Sequence, residues 1–292
     1  MKLAKLKYLC AMTLFGTIGI FVYYIPMSSA AISFYRGALG CIYLLAVMLL
    51  SKKRPDFSAI RKNLPMLVLS GAAIGFNWIL LFEGYKYTSV ATATVCYYLA
   101  PLLLLLASPL LGERITVKKL LCIAVALVGL VFVSGVIEKG ITSLSELAGI
   151  GLSLGAAVLY ATGMFGNKKL SGIGIYDKTF MQLGIATIVI LPYMLITEGF
   201  ALPSFAPVPL VLLLTVGILH TGVAYSLSLD GIHKLPTQTI GVFSYLDPVV
   251  AVVLSVPILR QPMSIYGIIG TVLILGSALY SEISPAKKTV AK

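Results

Sequence analysis

The sequence predicts an all-α polytopic membrane protein whose ten transmembrane helices form two inverted-topology repeats of five helices. Three observations lead to this fold class: the composition, ten long apolar stretches, and a pattern of glycines that recurs in the second half. The 292 residues are 59% hydrophobic and 11% charged, with a mean hydropathy of +1.01. Soluble domains carry about 25% charged residues. A soluble core could not bury this much apolar surface, so the bilayer must act as solvent.

The ten apolar stretches follow one another along nearly the whole chain and leave no length for a soluble domain. They lie near residues 5–25, 29–51, 64–85, 88–111, 117–137, 146–166, 177–197, 207–229, 236–258 and 264–282. Each is continuously apolar rather than alternating, which favours helices over the strands of a barrel. The first stretch follows three lysines, as a signal peptide would, but its length and the nine later stretches favour a retained helix.

The net charge of +12 is distributed as a membrane protein requires, and it does not indicate a nucleic-acid partner. All but four of the 22 lysines and arginines fall in alternate loops or at the termini, on one predicted side. The exceptions are Arg36, Lys86, Lys139 and Arg260. By the positive-inside rule, both termini are expected in the cytoplasm, in a multi-pass protein of a bacterial inner membrane.

Motifs of enzyme chemistry are absent from the sequence. The four cysteines lie in apolar stretches without the spacing of metal ligands, which favours small buried hydrophobes. No zinc, nucleotide or serine-hydrolase motif occurs. We therefore expect no catalytic residue, no metal and no cofactor.

An internal repeat becomes visible when the chain is shifted by 147 positions. Six glycines then fall on six other glycines, and a Tyr-Leu-x-Pro sequence falls on a second copy of itself. This predicts two repeats, residues 1–139 and 140–292. Since five helices is an odd number, the second repeat would enter the membrane from the opposite side. Inverted repeats are common in secondary transporters, which bind solute near the midplane and expose it to each side in turn.

Several segments resemble the drug/metabolite transporter superfamily, in its ten-helix EamA-type branch. Residues 87–116 resemble its fourth helix, with the mid-helix Pro101 and a Gly-Glu-Arg ending. The second copy has an acid before the proline, Asp247, and Arg36 resembles an arginine common in the second helix. One departure is Arg260, which stands where the second copy should have a glutamate. The resemblance implies a transporter but hardly constrains the solute, since members carry amino acids, nucleotide sugars, phosphorylated sugars or drugs.

The expected function is secondary active transport of a small polar metabolite, with proton-coupled export of amino acids or related compounds as the leading hypothesis. An organic-cation or drug carrier is the alternative, because aromatic faces bind cations. A membrane-embedded enzyme is the alternative of another class, although two histidines and ten scattered acids form no catalytic cluster. The expected partners are a small-molecule solute, the bilayer and protons, and the oligomeric state stays open.

Two predicted helix breaks mark the candidate binding site. Pro101 and Pro248 lack an N–H, so the carbonyl groups of Tyr97 and Ser244, four residues earlier, lose their helical partners. Broken backbone at membrane depth is tolerated where it lines a cavity or is covered by protein. Asp247 is the acid predicted deepest in the membrane. Either it faces the cavity and takes up a proton or a cationic group of the solute, or it caps the break within its own helix.

Four other ionisable residues are candidates because charged groups inside a bilayer are costly. Arg36 and Glu83 are expected either to form an ion pair between helices or to serve as a gate, with Arg36 a clamp for a solute carboxylate. Asp230 is either an inner gate or a solvated interfacial residue. His220 is either a proton relay or a neutral hydrogen-bonding residue between helices.

Aromatic and amide side chains complete the predicted site, because hydroxyl and amide groups at membrane depth need partners that a solute cavity can supply. The alternative for each is packing against another helix. These residues are Tyr97, Tyr98, Tyr245, Trp78, Tyr225 and Asn77.

Overall fold

The protein is described here as a computed structural model that covers residues 2–52, 55–111, 117–133, 137, 143–199, 206–228, 235 and 243–283. The described residues are helical and contain no strand, as the continuous apolar stretches predict. The helices are α1 (Lys2–Tyr23), α2 (Ser29–Leu50), α3 (Phe57–Tyr87), α4 (Val90–Tyr97), α5 (Ala100–Leu106), α6 (Val117–Val133), α7 (Leu144–Lys169), α8 (Ile175–Glu198), α9 (Pro207–Ser228), α10 (Leu246–Ile258) and α11 (Ile265–Ile283).

Six of these helices, α1, α2, α3, α7, α8 and α9, are long and apolar enough to cross a membrane. The other four predicted spans contain shorter apolar helices: Val90–Leu104, Leu120–Val133, Leu246–Ile258 and Ile265–Tyr280. Large hydrophobic side chains lie exposed on many helices, among them Leu49, Ile188 and Val272. Exposed apolar faces of this kind suit a lipid environment.

Local sequence explains where several helices begin. Ser28, Asp56, Ser89 and Ser143 each precede a helix and accept a hydrogen bond from the backbone N–H three residues later, at 3.0 to 3.3 Å. Such caps satisfy N–H groups that have no partner inside the helix. Serine and aspartate therefore set the N-terminal ends of these four helices.

The two predicted breaks are present in the backbone. α4 ends at Tyr97 and α5 begins at Ala100, so Pro101 occupies the first turn of a new helix. α10 begins at Leu246 and likewise carries Pro248 in its first turn. Proline is tolerated there because the N–H it lacks would have no helical partner. Within the described residues Asp247 therefore lies at the start of a helix, where the helix dipole favours a carboxylate.

α9 differs from the other helices because its middle, Thr215–Val223, is a π-helix. Side chains there bond to carbonyl groups five residues earlier: His220 to Thr215, and Thr221 to Val216. π-helical turns are rare and frequently occur at functional sites.

The helices pack in a recurring pattern. α3 packs against α7 and α8, and α9 packs against α1 and α2. α1 lies along α10, while α7 lies along α4 and α5. α6 and α11 pack against each other. Helices from both halves of the chain therefore surround a common centre.

Candidate functional site

A cavity of about 440 Å³ lies at this centre, a volume typical of sites for small molecules. It is bounded by α1, α2, α3, α4, α7, α9 and α10 and by the two helix breaks. The polar and aromatic residues that line it are Tyr8, Phe15, Arg36, Trp78, Phe82, Tyr85, Thr94, Tyr97, Tyr98, Tyr160, Tyr225, Ser228, Ser244, Tyr245 and Asp247.

Arg36 contributes the positive charge of the cavity. Its side chain is 4% exposed, and its guanidinium carbon lies 4.1 Å from the centroid of the Trp78 ring. Nε donates a hydrogen bond of 3.1 Å to the Thr221 hydroxyl. In the described part of the chain, the two Nη groups form no hydrogen bond or ion pair. A buried guanidinium with free donors is well suited to bind an anion.

Asp247 contributes the negative charge. It is partly buried at the start of α10, and the hydroxyl of Tyr98, from the other helix break, donates a hydrogen bond to its Oδ2. The backbone carbonyl of Asp247 packs against Gly16 of α1, where an added Cβ would lie 2.5 Å from the carbonyl oxygen. Each break thus supplies one partner of a hydrogen bond that crosses the centre of the molecule.

Arg36 and Asp247 are the only basic and the only acidic residue among the described residues that line the cavity. They form no ion pair with each other. One side of the cavity therefore offers N–H donors to an anion, and another offers a carboxylate to a cation. A molecule with both kinds of group could satisfy both at once.

Aromatic side chains account for ten of the other twenty residues that line the cavity. Tyr97 stacks on Tyr160 with ring centroids 5.0 Å apart and an angle of 12° between the ring planes. The Tyr97 hydroxyl donates to Asn77 Oδ1 at 3.3 Å, and Asn77 donates to the carbonyl of Ala73. Asn77 does not line the cavity, and its amide oxygen fixes the position of the Tyr97 hydroxyl by this hydrogen bond. Tyr8 and Ser244 hydroxyls are 2.9 Å apart at another part of the wall.

His220 is fully buried and does not line the cavity. Nδ1 lies 3.1 Å from the carbonyl of Thr215, and Nε2 lies 2.9 Å from the Thr17 hydroxyl of α1. Since a carbonyl only accepts, Nδ1 must carry the proton in this geometry. The contacts are those of a hydrogen-bonding residue between helices, one of the two roles expected of His220.

Glu83 does not pair with Arg36, so the expected ion pair between these residues is wrong. The Glu83 carboxylate binds Lys86 Nζ at 2.8 Å and accepts a hydrogen bond from Ser29 at 2.7 Å. Ser29 begins α2, whereas Arg36 lies seven residues further along, about 10 Å at the helical rise of about 1.5 Å per residue. The acid therefore lies at the helix end, too far from the guanidinium.

The other predicted residues have mixed positions. Trp78 and Tyr225 line the cavity, and Tyr225 packs edge-on against Phe15 at 5.2 Å. Tyr245 also lines it. Pro248 is buried in the first turn of α10. Asp230 lies outside the described residues.

Sequence reasoning missed Tyr8, Tyr85, Tyr160 and Thr221. For Tyr8, Tyr85 and Tyr160 the available signal was a polar group inside a predicted apolar stretch, the same signal that pointed to Tyr97. Thr221 directly follows His220, which was singled out, but a threonine in a membrane helix commonly bonds to its own backbone. Its contact with Arg36 depends on the packing of α2 against α9.

Comparison with known proteins places the whole chain among membrane transporters. The EamA-like transporter family matches residues 3–135 and residues 147–281. The uncharacterized transporter YxxF of Bacillus subtilis (strain 168) is 31% identical over 280 residues, covering 94% of this chain and 88% of that protein. The threonine/homoserine exporter RhtA of Escherichia coli (strain K12) is 24% identical over 259 residues, covering 88% of this chain and 83% of that protein.

A similar fold is found among solved structures. One crystal structure covers 94% of this chain and 95% of its own chain, with a TM-score of 0.67 at 20% sequence identity. At that identity the likeness concerns the fold alone.

Proposed function

This chain belongs to the EamA-like transporter family, and we propose that it exports a zwitterionic metabolite, an amino acid or a close relative, by proton-coupled alternating access. It is a transporter rather than an enzyme, as the family and the names of its relatives indicate. The export of threonine and homoserine named for the Escherichia coli relative supports the choice of solute class.

The observation that carries the proposal is that Arg36 and Asp247 share one cavity without pairing with each other. The Nη groups of Arg36 match the two oxygens of an α-carboxylate. The carboxylate of Asp247 matches an α-ammonium group. A zwitterion bound between them would neutralise both charges, and the aromatic wall would cover its apolar part.

Alternating access requires two packings of similar energy, and an inverted repeat would supply them. Two observations support the proposed repeats at residues 1–139 and 140–292. The same family matches each half, and the packing of α3 on α8 has its counterpart in α9 on α2. Breaks at corresponding positions would let the two halves rock around the central cavity, because an interrupted helix can change direction at the break.

Asp247 is the proposed proton carrier. In its ionised form it binds the ammonium group of the solute. After the solute leaves, it takes up a proton, which lets the empty transporter return without an ionised carboxylate at its centre. Each cycle then moves one zwitterion outward and one proton inward, so the proton gradient and the membrane potential both drive export.

The experiment uses purified protein in proteoliposomes with radiolabelled L-threonine and L-homoserine. Counterflow without chemical change is expected for the wild type, together with accumulation driven by a proton gradient. Asp247→Asn still accepts the hydrogen bond of Tyr98 but cannot titrate. We expect it to lose gradient-driven accumulation by about tenfold or more, the effect of about 1.4 kcal/mol. Exchange should continue at saturating solute, with a higher KM because the ammonium group has lost its carboxylate partner.

Two results would contradict the proposal. Absence of counterflow with any amino acid would exclude the solute class. Gradient-driven accumulation equal to the wild type in Asp247→Asn would exclude the coupling role and leave Asp247 as a residue that stabilises the helix start.

An organic-cation carrier is the second candidate, because rings such as Trp78, Tyr97 and Tyr160 surround the cavity. The buried charge of Arg36 opposes it, since a cation would be repelled. Competition separates the two functions: tetraethylammonium should leave amino-acid counterflow unchanged, whereas strong competition by this probe would favour the cation carrier.

The proposed orientation places both termini in the cytoplasm of a bacterium, following the distribution of lysine and arginine. Asp56 and Ser58, at the beginning of α3, would then face the cytoplasm.

A further inference from the structure

We propose that the π-helix Thr215–Val223 positions Arg36 as a fork for an oxyanion, and that Thr221 is the residue that holds the fork in place. The oxyanion is the carboxylate of the solute, and this identification alone rests on the proposed function.

The hydrogen bonds of Thr221 leave its oxygen only one role toward Arg36. Its hydroxyl proton is donated to the carbonyl of Val216 at 2.9 Å. The oxygen therefore accepts from Arg36 Nε at 3.1 Å. Val216 is five residues earlier, so this arrangement depends on the π-helical turn, because a threonine in an α-helix usually bonds to the carbonyl four residues earlier.

Engagement of Nε orients the rest of the guanidinium. Of its five N–H donors, one is used by Thr221, and the four on the Nη atoms have no partner in the described chain. Trp78 covers the flat face, with the guanidinium carbon 4.1 Å from the ring centroid. A planar group held at its face and at Nε presents its remaining edge, which fits two oxygens of one carboxylate.

Close packing keeps α2 and the π-helix in this register. An added Cβ at Gly40, one turn beyond Arg36, would lie 2.5 Å from Thr221 Cγ2. An added Cβ at Gly217 would lie 2.5 Å from Leu39 Cδ1. The two glycines let the backbones approach until the threonine oxygen reaches Nε.

The π-helix is also tied on its other side. His220 Nε2 lies 2.9 Å from the Thr17 hydroxyl of α1. The neighbouring Gly16 packs against the carbonyl of Asp247. The π-helix that contacts Arg36 thus also contacts α1, and α1 packs against Asp247. These contacts limit the rotation of the π-helix.

Trp78 makes the proposal measurable, because it is the single tryptophan of the chain and lies against Arg36. Tryptophan fluorescence of the purified full-length protein is titrated at constant ionic strength with sodium acetate, L-threonine, acetamide and inorganic phosphate. Acetate and L-threonine are expected to produce a saturable change. Acetamide has the shape of acetate without its charge and should produce none, and phosphate tests whether the fork prefers the tetrahedral oxyanion.

Three substitutions test the positioning role. Thr221→Val keeps the shape and removes the acceptor, and we expect the Kd for acetate to rise about tenfold. Thr221→Ser keeps the acceptor and should stay within about threefold of the wild type. Thr187→Val is the matched control: Thr187 also packs against α2, beside Gly37, but its hydroxyl bonds to the carbonyl of Leu183. This variant should bind as the wild type does.

Several results would overturn the inference. A change with acetamide as large as with acetate would exclude an oxyanion fork, and so would a wild type that shows no saturable change with any oxyanion. Tighter binding of phosphate than of acetate would overturn the carboxylate as the ligand, while the fork for an oxyanion would stand. Equal affinity in Thr221→Val and wild type would exclude the positioning role. If Thr221→Val does not fold, Thr221→Ala removes the same acceptor, and equal affinity there has the same meaning.

The outcome is independent of the transport assay. Saturable acetate binding that weakens in Thr221→Val supports the inference even if vesicles carry no amino acid, in which case only the proposed solute fails. If the protein shows amino-acid counterflow but no oxyanion changes its tryptophan fluorescence, the proposed transport function is supported and the oxyanion fork at Arg36 is overturned.

Discussion

Two junctions of three helices, built from corresponding helices of the two proposed repeats, differ in how they use polar side chains. The amide junction joins α3, α7 and α8 through Ser70, Asn167 and Gln182. There, Gln182 Nε2 donates to Ser70 Oγ at 2.6 Å and to Asn167 Oδ1 at 2.9 Å. The arginine junction joins α9, α1 and α2 through Thr221, His220, Thr17 and Arg36. At the offset of 147, the residues of one junction fall within about one helical turn of the other.

The difference lies in what each junction leaves unsatisfied. The amide junction is neutral, its donors are used within the protein, and none of its three residues lines the cavity. The arginine junction carries a buried charge, contains a π-helix and directs free donors at the cavity. A closed network stabilises the packing of helices, whereas an open one is available to a ligand. Corresponding positions in the two proposed repeats therefore hold a network that stabilises helix packing in one case and the candidate binding residues in the other.

The largest expected effect comes from removing the open donors. Arg36→Gln should lower kcat/KM for the proposed amino-acid solute about a hundredfold, since truncating one member of a buried charged contact costs about 2–5 kcal/mol. Thermal stability should not fall, because the substitution removes an unpaired buried charge. Gln182→Met is the matched change in the amide junction. Gln182→Met should lower Tm and leave KM unchanged. If Gln182→Met raised KM and Arg36→Gln lowered only Tm, the two junctions would not differ in the proposed way.

The next effect concerns backbone packing at corresponding glycines. An added Cβ at Gly16 would lie 2.5 Å from the Asp247 carbonyl oxygen, whereas at Gly163, 147 positions later, the nearest atom is the Ser70 carbonyl oxygen at 3.7 Å. Gly16→Ala should therefore destabilise the protein by about 1–3 kcal/mol and impair transport. Gly163→Ala should remain within about 0.5 kcal/mol of the wild type. Thermal unfolding in detergent measures both, and equal losses would show that the two packings are alike.

The amide junction itself should respond moderately. Ser70→Ala removes the acceptor of one hydrogen bond from Gln182 and leaves a buried donor less satisfied, so about 1–3 kcal/mol of stability should be lost. The Kd for acetate, measured by Trp78 fluorescence, should stay at the wild-type value. A shift in this Kd of about tenfold would mean that the amide junction also tunes the binding site.

The smallest effect is expected at Glu83. Its ion pair with Lys86 is exposed, with side chains 32% and 49% accessible, so Glu83→Gln should cost less than about 1 kcal/mol. Arg36→Gln and Glu83→Gln should act additively on stability, within about 0.5 kcal/mol, because the two residues share no contact. A larger coupling energy would indicate that Arg36 and Glu83 interact, contrary to the structure.

Reasoning from the sequence reached the helical, membrane-spanning character of the fold and named several residues that line the cavity. Composition indicated a membrane protein, and six of the ten apolar stretches coincide with helices long enough to cross a membrane. The prolines at 101 and 248 correctly located two helix breaks, because a residue without an N–H has the same consequence in any packing. Arg36, Trp78 and Asp247, singled out because a polar or charged group inside an apolar stretch is costly wherever it points, all line the cavity.

The partners of those residues could not be found in the same way. Charge alone predicts that Arg36 pairs with Glu83, whereas Glu83 contacts Lys86 and Ser29, and Arg36 contacts Thr221. In a membrane helix the lipid-facing side is as apolar as the buried side, so the sequence carries little periodic signal about which face points inward.

Sequence alone therefore determined the solvent of this protein, the approximate limits of its helices and the places where they break, since these depend on local chemistry and on the number of residues that span a bilayer. Tertiary structure alone decided that Tyr8, Tyr85 and Tyr160 line the cavity and that a π-helical threonine holds Arg36. Those facts depend on the rotation and approach of neighbouring helices, which are set by close contacts such as those at Gly16 and Gly40 rather than by hydrophobicity.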